Sequence, residues 1–243
     1  MPDTIIELSN ERNCIAIVPA AGSGKRFGKK KAKQYQSING QQILDVTLEI
    51  FINSPRISKV LLIVSPADEF FNSLNSINNE KLIVVDGGDE RQNSVYNGLR
   101  FLYDNGLPDE CPVLVHDAVR PCLSEVDLNK LLDYFDETKQ PCFLADKVVD
   151  SLKKIGQDNQ VLQSASRDEL ICALTPQMAA FIDLKKSLSQ VIKSGIIVTD
   201  EVGALTDNDI EVFAVFANDL NPKITVEKDL KLAEQILNAR QPG

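Results

Sequence analysis

Five short aliphatic runs recur along the chain: "CIAIVPA" (Cys14 to Ala20), "KVLLIVS" (Lys59 to Ser65), "KLIVVDGG" (Lys81 to Gly88), "PVLVHDAV" (Pro112 to Val119) and "PCFLADKVV" (Pro141 to Val149). A strand covered on both faces needs such a run, apolar without polar alternation. Between the runs, apolar residues recur at helical spacing: Leu44, Thr47, Leu48 and Phe51; then Phe70, Phe71, Leu74 and Ile77; then Val95, Leu99 and Leu102; then Val126, Leu128, Leu131, Leu132 and Phe135. Ser124, with Asp127 three residues on, predicts the N-cap of the last of these helices. Strand and helix in alternation predict an α/β fold: a doubly wound, mainly parallel sheet with helices on both faces.

The rhythm breaks at "DSLKKIGQDNQVLQSAS" (Asp150 to Ser166), where two strand-like arms flank a polar turn at Gly156 to Gln160 and apolar residues are too few for a core. This predicts a protruding hairpin. A helix over Phe181–Lys193, a short strand "IIVT" (196–199), a helix near Asp200–Leu205, a strand "EVFAVFA" and a helix from Glu227 to Arg240 follow. With 243 residues, 43% of them hydrophobic, and no repeat or Pro/Gly linker, the reading is one domain over 1–243 with an arm at about 147–167.

A formal net charge of -9 argues against a nucleic-acid partner, which needs a basic face. His116 is the only histidine, so multi-histidine metal centres are excluded and a Ser-His-Asp triad would have to use it. Five scattered cysteines, Cys14, Cys111, Cys122, Cys142 and Cys172, form no C-x-x-C pair and read as small buried hydrophobes. The mixed-charge start and the lack of a bilayer-length apolar run predict a cytoplasmic protein without membrane contact.

Chemistry gathers where the predicted strands end. "VPAAGSGKRFGKKKAKQY" (Val18 to Tyr35) leaves the first strand, and ligands in such folds sit beyond the carboxyl ends of the strands. A Walker loop would need glycine at Pro19 and Ser or Thr at Arg26; a dinucleotide fingerprint would need glycine at Phe27 and an acidic end to strand two, where Ser65-Pro66 stands. Both fail. What remains is a glycine loop whose N–H groups can approach a polyphosphate, with Arg26 as a planar fork and Lys33 as a mobile point charge. Lys25, Lys29, Lys30 and Lys31 read equally as a solvated basic loop. "DGGDERQNSV" ends the third strand, and its Gly87-Gly88 pair permits positive φ and close backbone approach to a flat ligand, or forms a plain turn. "HDAVRP" carries Asp117 and Arg120, able to orient polar groups or a metal-bound phosphate, or simply to pair with each other.

Together "VPAAGSGKRF…KQY", "VDGGDERQNSV", "HDAVRP", "ALTPQ", "TDE" and "NPKIT" resemble the methylerythritol phosphate cytidylyltransferases of the non-mevalonate isoprenoid pathway, in order from about Ile15 to Leu230. The glycine loop with "KQY" alone resembles only the broad sugar-nucleotidyltransferase superfamily. The resemblance implies a Rossmann-like nucleotidyltransferase fold and attack by the phosphate of 2-C-methyl-D-erythritol 4-phosphate on the α-phosphorus of CTP. Pyrophosphate is then released and Mg2+ is bound mainly through the CTP phosphates, with no protein metal site.

Residue by residue, the resemblance makes Arg26, Lys33, Arg167 and Lys223 the catalytic set. It also implies that the backbone of Ala20, Ala21, Gly22 and Gly24 cradles the nucleotide, and that Gly88, Asp89 and Ser94 hold cytosine and ribose. Asp117, Arg120, Thr175, Thr199 and Lys223 become substrate contacts. Ser151 and Arg167 lie on an arm expected to complete a partner's pocket in a homodimer. The chain departs from the family pattern with Ser151 for threonine, Gly203 in "TDEVGA", which loosens a helix start, and Pro222 before Lys223, which is expected to shift the lysine. A ribitol-5-phosphate cytidylyltransferase and a non-catalytic nucleotide-binding protein of the same fold stay open as alternatives; a nicotinamide-dependent oxidoreductase is disfavoured by the failed fingerprint.

Overall fold

The computed structural model describes residues 14–22 and 32–240. In chain order its elements are β1 (Cys14–Pro19), β2 (Ser37–Ile38), β3 (Gln41–Gln42), α1 (Ile43–Ile52), β4 (Ile57–Val64), β5 (Leu82–Asp86), α2 (Arg91–Asp104), β6 (Pro112–Val115), α3 (Glu125–Thr138) and β7 (Cys142–Lys147). Then come β8 (Leu152–Ile155), β9 (Val161–Ala165), β10 (Ile171–Ala180), α4 (Phe181–Lys193), α5 (Glu201–Thr206), β11 (Phe213–Phe216) and α6 (Glu227–Arg240). Seven strands form one sheet in the order β11-β7-β10-β6-β1-β4-β5.

β1 explains why these strands lack polar alternation. Side chains leave a strand to opposite faces in turn. Cys14, Ala16 and Val18 enter the core shared with Leu48 and Phe51 of α1 and Leu131 and Phe135 of α3. Ile15 and Ile17 enter the other core, with Leu99 of α2 and Leu184 and Leu188 of α4. β1 pairs in parallel with β4 and β6, β4 with β5, and β7 with β11. The capping prediction holds, since the Asp127 N–H donates to Ser124 Oγ at 3.2 Å.

The structure departs from the sequence reading in several places. β10 was not foreseen; it inserts antiparallel between β6 and β7, with its register broken between Ala173 and Gln177, around Pro176, which cannot donate to a ladder. Phe70 to Ile77 is not one helix but two 3-10 turns, Phe70–Ser73 and Asn75–Asn78, with extended Leu74 between them. Buried Asp45 accepts the N–H groups of Asn75 and Ser76 and so redirects the chain there. "IIVT" is no strand: the Gln92 side chain donates to the Ile196 carbonyl and accepts the Val198 N–H, replacing a ladder. Val126 points outward from α3, and Cys172 is exposed, whereas Cys14, Cys122 and Cys142 are buried as expected.

β8 and β9 form the foreseen hairpin, exposed along its whole length and closed by the Gly156 N–H donating to the Gln160 carbonyl at 2.9 Å. Among the described residues no helix is long and apolar enough to cross a membrane.

Candidate active site

The turns after β1, β5 and β6 meet around a cavity of about 420 Å³. Ala20, Ala21 and Gly22 form one wall and Gly88 to Arg91 with Ser94 a second, and Asp117, Lys33 and Lys223 are the charged residues of the remainder. Buried Gln34 clasps the first turn, its Nε2 donating to the carbonyls of Ala20 (2.8 Å) and Gly22 (3.2 Å). Lys33 lies beside it, at the start of the 3-10 helix Lys33–Tyr35.

In the second turn the Gly88 N–H donates to Ser94 Oγ at 3.1 Å, folding the loop back on the first turn of α2. Neither Gly87 nor Gly88 has positive φ, so the requirement is close approach. A Cβ on Gly87 would stand 2.7 Å from Ala21 Cβ, and one on Gly88 2.7 Å from Asn93 Cβ. Gly87 lets the β1 and β5 turns touch, and Gly88 lets the loop lie against the first turn of α2.

Asp117 is the electrostatic centre. Its Oδ2 lies 2.8 Å from Lys223 Nζ and 3.4 Å from Arg120 Nε, and its Oδ1 lies 3.3 Å from Arg91 Nε. Burial pushes this carboxyl upward, but Arg91, Lys223 and Arg120 outweigh it and hold the carboxyl well below the usual carboxylate range. Burial likewise works against the Arg91 charge; Glu201 and Asp117 outweigh it and keep the guanidinium protonated.

Beneath the turn, the Asp117 N–H donates to Thr175 Oγ1 at 3.1 Å. The Thr175 hydroxyl is thereby directed to His116 Nδ1 (3.1 Å), leaving Nε2–H to donate to the Arg120 carbonyl (3.0 Å). This network assigns the neutral tautomer and ties both ends of the Asp117–Arg120 turn to one ring. Burial pushes His116 down to about 4, against the opposing pull of the Arg120 carbonyl and Asp117.

The folded value lies below the unfolded one of about 6.5, so as pH falls the unfolded chain takes the proton first. The stability held by the neutral ring is whole above about pH 6.5 and declines towards pH 4, by on the order of 3 kcal/mol. Asp117, depressed instead, loses its contribution only below about pH 4. Urea midpoints taken from pH 7 to 4.5 should fall more steeply for the unaltered protein than for His116→Gln; parallel curves would contradict this account.

The cavity brings together Ala20, Ala21, Gly22, Lys33, Gly88, Asp89, Ser94, Asp117 and Lys223 of the sequence-derived candidates. Gly24 and Arg26 lie outside the described residues. Arg120 and Thr175 are buried behind Asp117 rather than lining the cavity. Thr199 is exposed just ahead of α5, and Ser151 and Arg167 are exposed on the arm, where Arg167 donates to the Val149 carbonyl at 2.6 Å. Pro222 does not carry Lys223 away from Asp117. Nor does Gly203 leave α5 loose, since its N–H donates to the Asp200 cap at 3.0 Å. Gln34, Arg91 and Glu201 were missed as site residues, though "KQY", "DGGDER" and "TDE" each contain one of them.

Fold and cavity together define an α/β protein with glycine turns and cations facing one pocket at the carboxyl edge of a mainly parallel sheet, a setting suited to a phosphorylated ligand. The sequence model of the family described as IspD, 2-C-methyl-D-erythritol 4-phosphate cytidylyltransferase, matches residues 14–239. The 2-C-methyl-D-erythritol 4-phosphate cytidylyltransferase of Pseudoalteromonas atlantica is 39% identical over 218 residues, covering 90% of this chain and 92% of its own. That of Shewanella piezotolerans is 38% identical over 223 residues, covering 92% and 94%. The crystal structure of the Francisella tularensis enzyme of that name superposes with a TM-score of 0.81 at 33% identity, covering 92% of this chain and 99% of its own. The chain belongs to the 2-C-methyl-D-erythritol 4-phosphate cytidylyltransferase family.

Proposed function

We propose that this protein transfers CMP from CTP to 2-C-methyl-D-erythritol 4-phosphate, a step of non-mevalonate isoprenoid precursor synthesis. The observation that carries the site reading is the convergence in one cavity of the β1 and β5 glycine turns with Lys33, Asp117 and Lys223. An oxygen of the polyol phosphate bonds to the α-phosphorus of CTP as the bond to the bridging oxygen breaks, and pyrophosphate leaves with that electron pair. Such chemistry asks for positioning and charge neutralisation rather than covalent help.

On this reading the backbone of Ala20 to Gly24 and the Gly88–Ser94 turn hold the nucleotide, and Lys33 with Arg26 stabilises charge gathering at the α-phosphate. Lys223, steadied by Asp117, meets the attacking phosphate. Thr199 and, behind Asp117, Arg120 and Thr175 complete the polyol side. Both oxygens of Asp117 are already shared among three cations. The donor set therefore fits a magnesium ion carried mainly on the triphosphate, where it would neutralise phosphate charge.

The exposed hairpin supports a homodimer. Val149, Ile155, Val161 and Leu162 are each more than half exposed, and a two-stranded hairpin gains stability only by packing on something else. Ser151 and Arg167 then reach the partner's pocket. Sedimentation as a monomer at micromolar concentration would remove that part of the reading. Residues 1–243 act on this account as one cytoplasmic nucleotidyltransferase domain, and the net charge of -9 supports a function without nucleic acid.

A pyrophosphate-release assay with each nucleoside triphosphate, crossed with methylerythritol phosphate and ribitol phosphate, tests the function. Turnover is expected with CTP and the methylerythritol compound. Faster turnover with ribitol phosphate would transfer the reading to that substrate, and CTP binding without turnover would make the protein a silent nucleotide binder.

A further inference from the structure

Glu201 is fully buried in the first turn of α5, 110 residues from the arginine it holds. Both its oxygens are taken by Arg91, with NH1 donating to Oε1 at 2.7 Å and NH2 to Oε2 at 3.0 Å. The α5 turn is itself anchored to β10, because Gln177 accepts the Val202 N–H at 2.9 Å and donates to Asp200 Oδ2 at 2.9 Å. Removing a carboxylate from water is costly, and a guanidinium at the first position of α2 opposes the helix dipole. Local helix stability therefore does not explain the Arg91 charge, and for Glu201 its favourable place at the start of α5 is set against the cost of full burial. What the pair does achieve is to leave only Nε of Arg91 facing Asp117 Oδ1, so that Oδ2 remains for Lys223 at 2.8 Å and, more distantly, Arg120.

We propose that Glu201 and Arg91 are positioning residues for the transfer reaction: Glu201 holds the Arg91 fork away from Asp117 and so keeps Asp117 Oδ2 available to orient Lys223. This rests on the reading of Asp117 and Lys223 as the polyol-phosphate end of the site. A guanidinium fork prefers two parallel bonds to a carboxylate. Without the second charged oxygen of Glu201, Arg91 turns its fork onto Asp117, and Lys223 loses its partner.

A double-mutant cycle tests the coupling, with kcat/KM for the polyol phosphate measured at saturating CTP. Glu201→Gln keeps the shape and one acceptor, and is expected to lower kcat/KM by about 10- to 30-fold in the unaltered protein but by less than about 3-fold in the Asp117→Asn background. Rescue by Glu201→Asp to within about 5-fold is expected if the carboxylate itself is what matters. Equal losses in both backgrounds, which a merely structural role would produce, overturn the inference, as does full activity of Glu201→Gln. If Asp117→Asn alone leaves kcat/KM unchanged, the underlying site reading fails and takes the inference with it. Should Glu201→Gln not fold, Arg91→Lys, whose single ammonium cannot hold both Glu201 oxygens and Asp117 Oδ1 and so leaves Asp117 unfixed beside Lys223, runs the same cycle with the same expected pattern.

Discussion

Replacing Lys33 by alanine is expected to lower kcat by about 10²- to 10³-fold, the usual consequence of removing one preorganised charge-stabilising donor from a phosphoryl or acyl transfer site. The residue lines the cavity from the start of a 3-10 helix whose other members carry the fold. Tyr35 is buried and its hydroxyl donates to Asp68 Oδ2 at 2.7 Å, while Gln34 holds the β1 turn. Truncating the lysine leaves all of those contacts in place. The loss should fall on kcat more than on CTP affinity, because the charge that Lys33 meets grows as the α-phosphorus is attacked. Single-turnover pyrophosphate release together with calorimetric CTP binding separates the two; a normal rate would refute the assigned role.

The second large effect is expected at Asp117. Asp117→Asn keeps the size and removes the one negative charge shared by Arg91, Arg120 and Lys223. Breaking a fully buried ion pair costs about 3–5 kcal/mol. Here the cost should be on the order of 2 kcal/mol, because Lys223 reaches solvent and Arg91 retains Glu201. Catalysis should suffer more than stability, with kcat/KM for the polyol phosphate down by about 10²-fold or more as Lys223 loses its fixed position. Denaturant unfolding and steady-state kinetics on one preparation measure both. A loss of stability without a loss of kcat/KM would make Asp117 a structural residue only.

Much of the fold was legible because its signals are local. Aliphatic runs bounded by turns, helices with one apolar stripe, and Ser124 set three residues ahead of Asp127 each declare themselves within a dozen residues. The hairpin was legible for the opposite reason, a stretch too polar for any core. β10 was not, because Pro176 interrupts its pattern and its first three residues are exposed. The 70–77 segment misled because its apolar spacing is helical, while the buried carboxylate of Asp45, some 30 residues earlier, takes the N–H groups a helix would have used.

The same division runs through the site. The residues that line its cavity lie in short motifs, so the glycine turns, Lys33 and Asp117 could be picked out from the chain itself, and Lys223 through the family resemblance that those motifs carry. The reason for Gly87 could not be read there, since it lies in Ala21, brought against it from the turn after β1, two strands across the sheet. His116, the sole histidine, served in the sequence only to exclude multi-histidine metal centres and to limit any triad to one residue; its place between Thr175 and the Arg120 carbonyl makes it a neutral brace for the Asp117 turn. Glu201 and Arg91 are two ordinary charged residues in sequence. Folding sets them face to face across 110 positions, and a charge pair has no periodicity to betray it, only the low-dielectric contact that the tertiary structure creates.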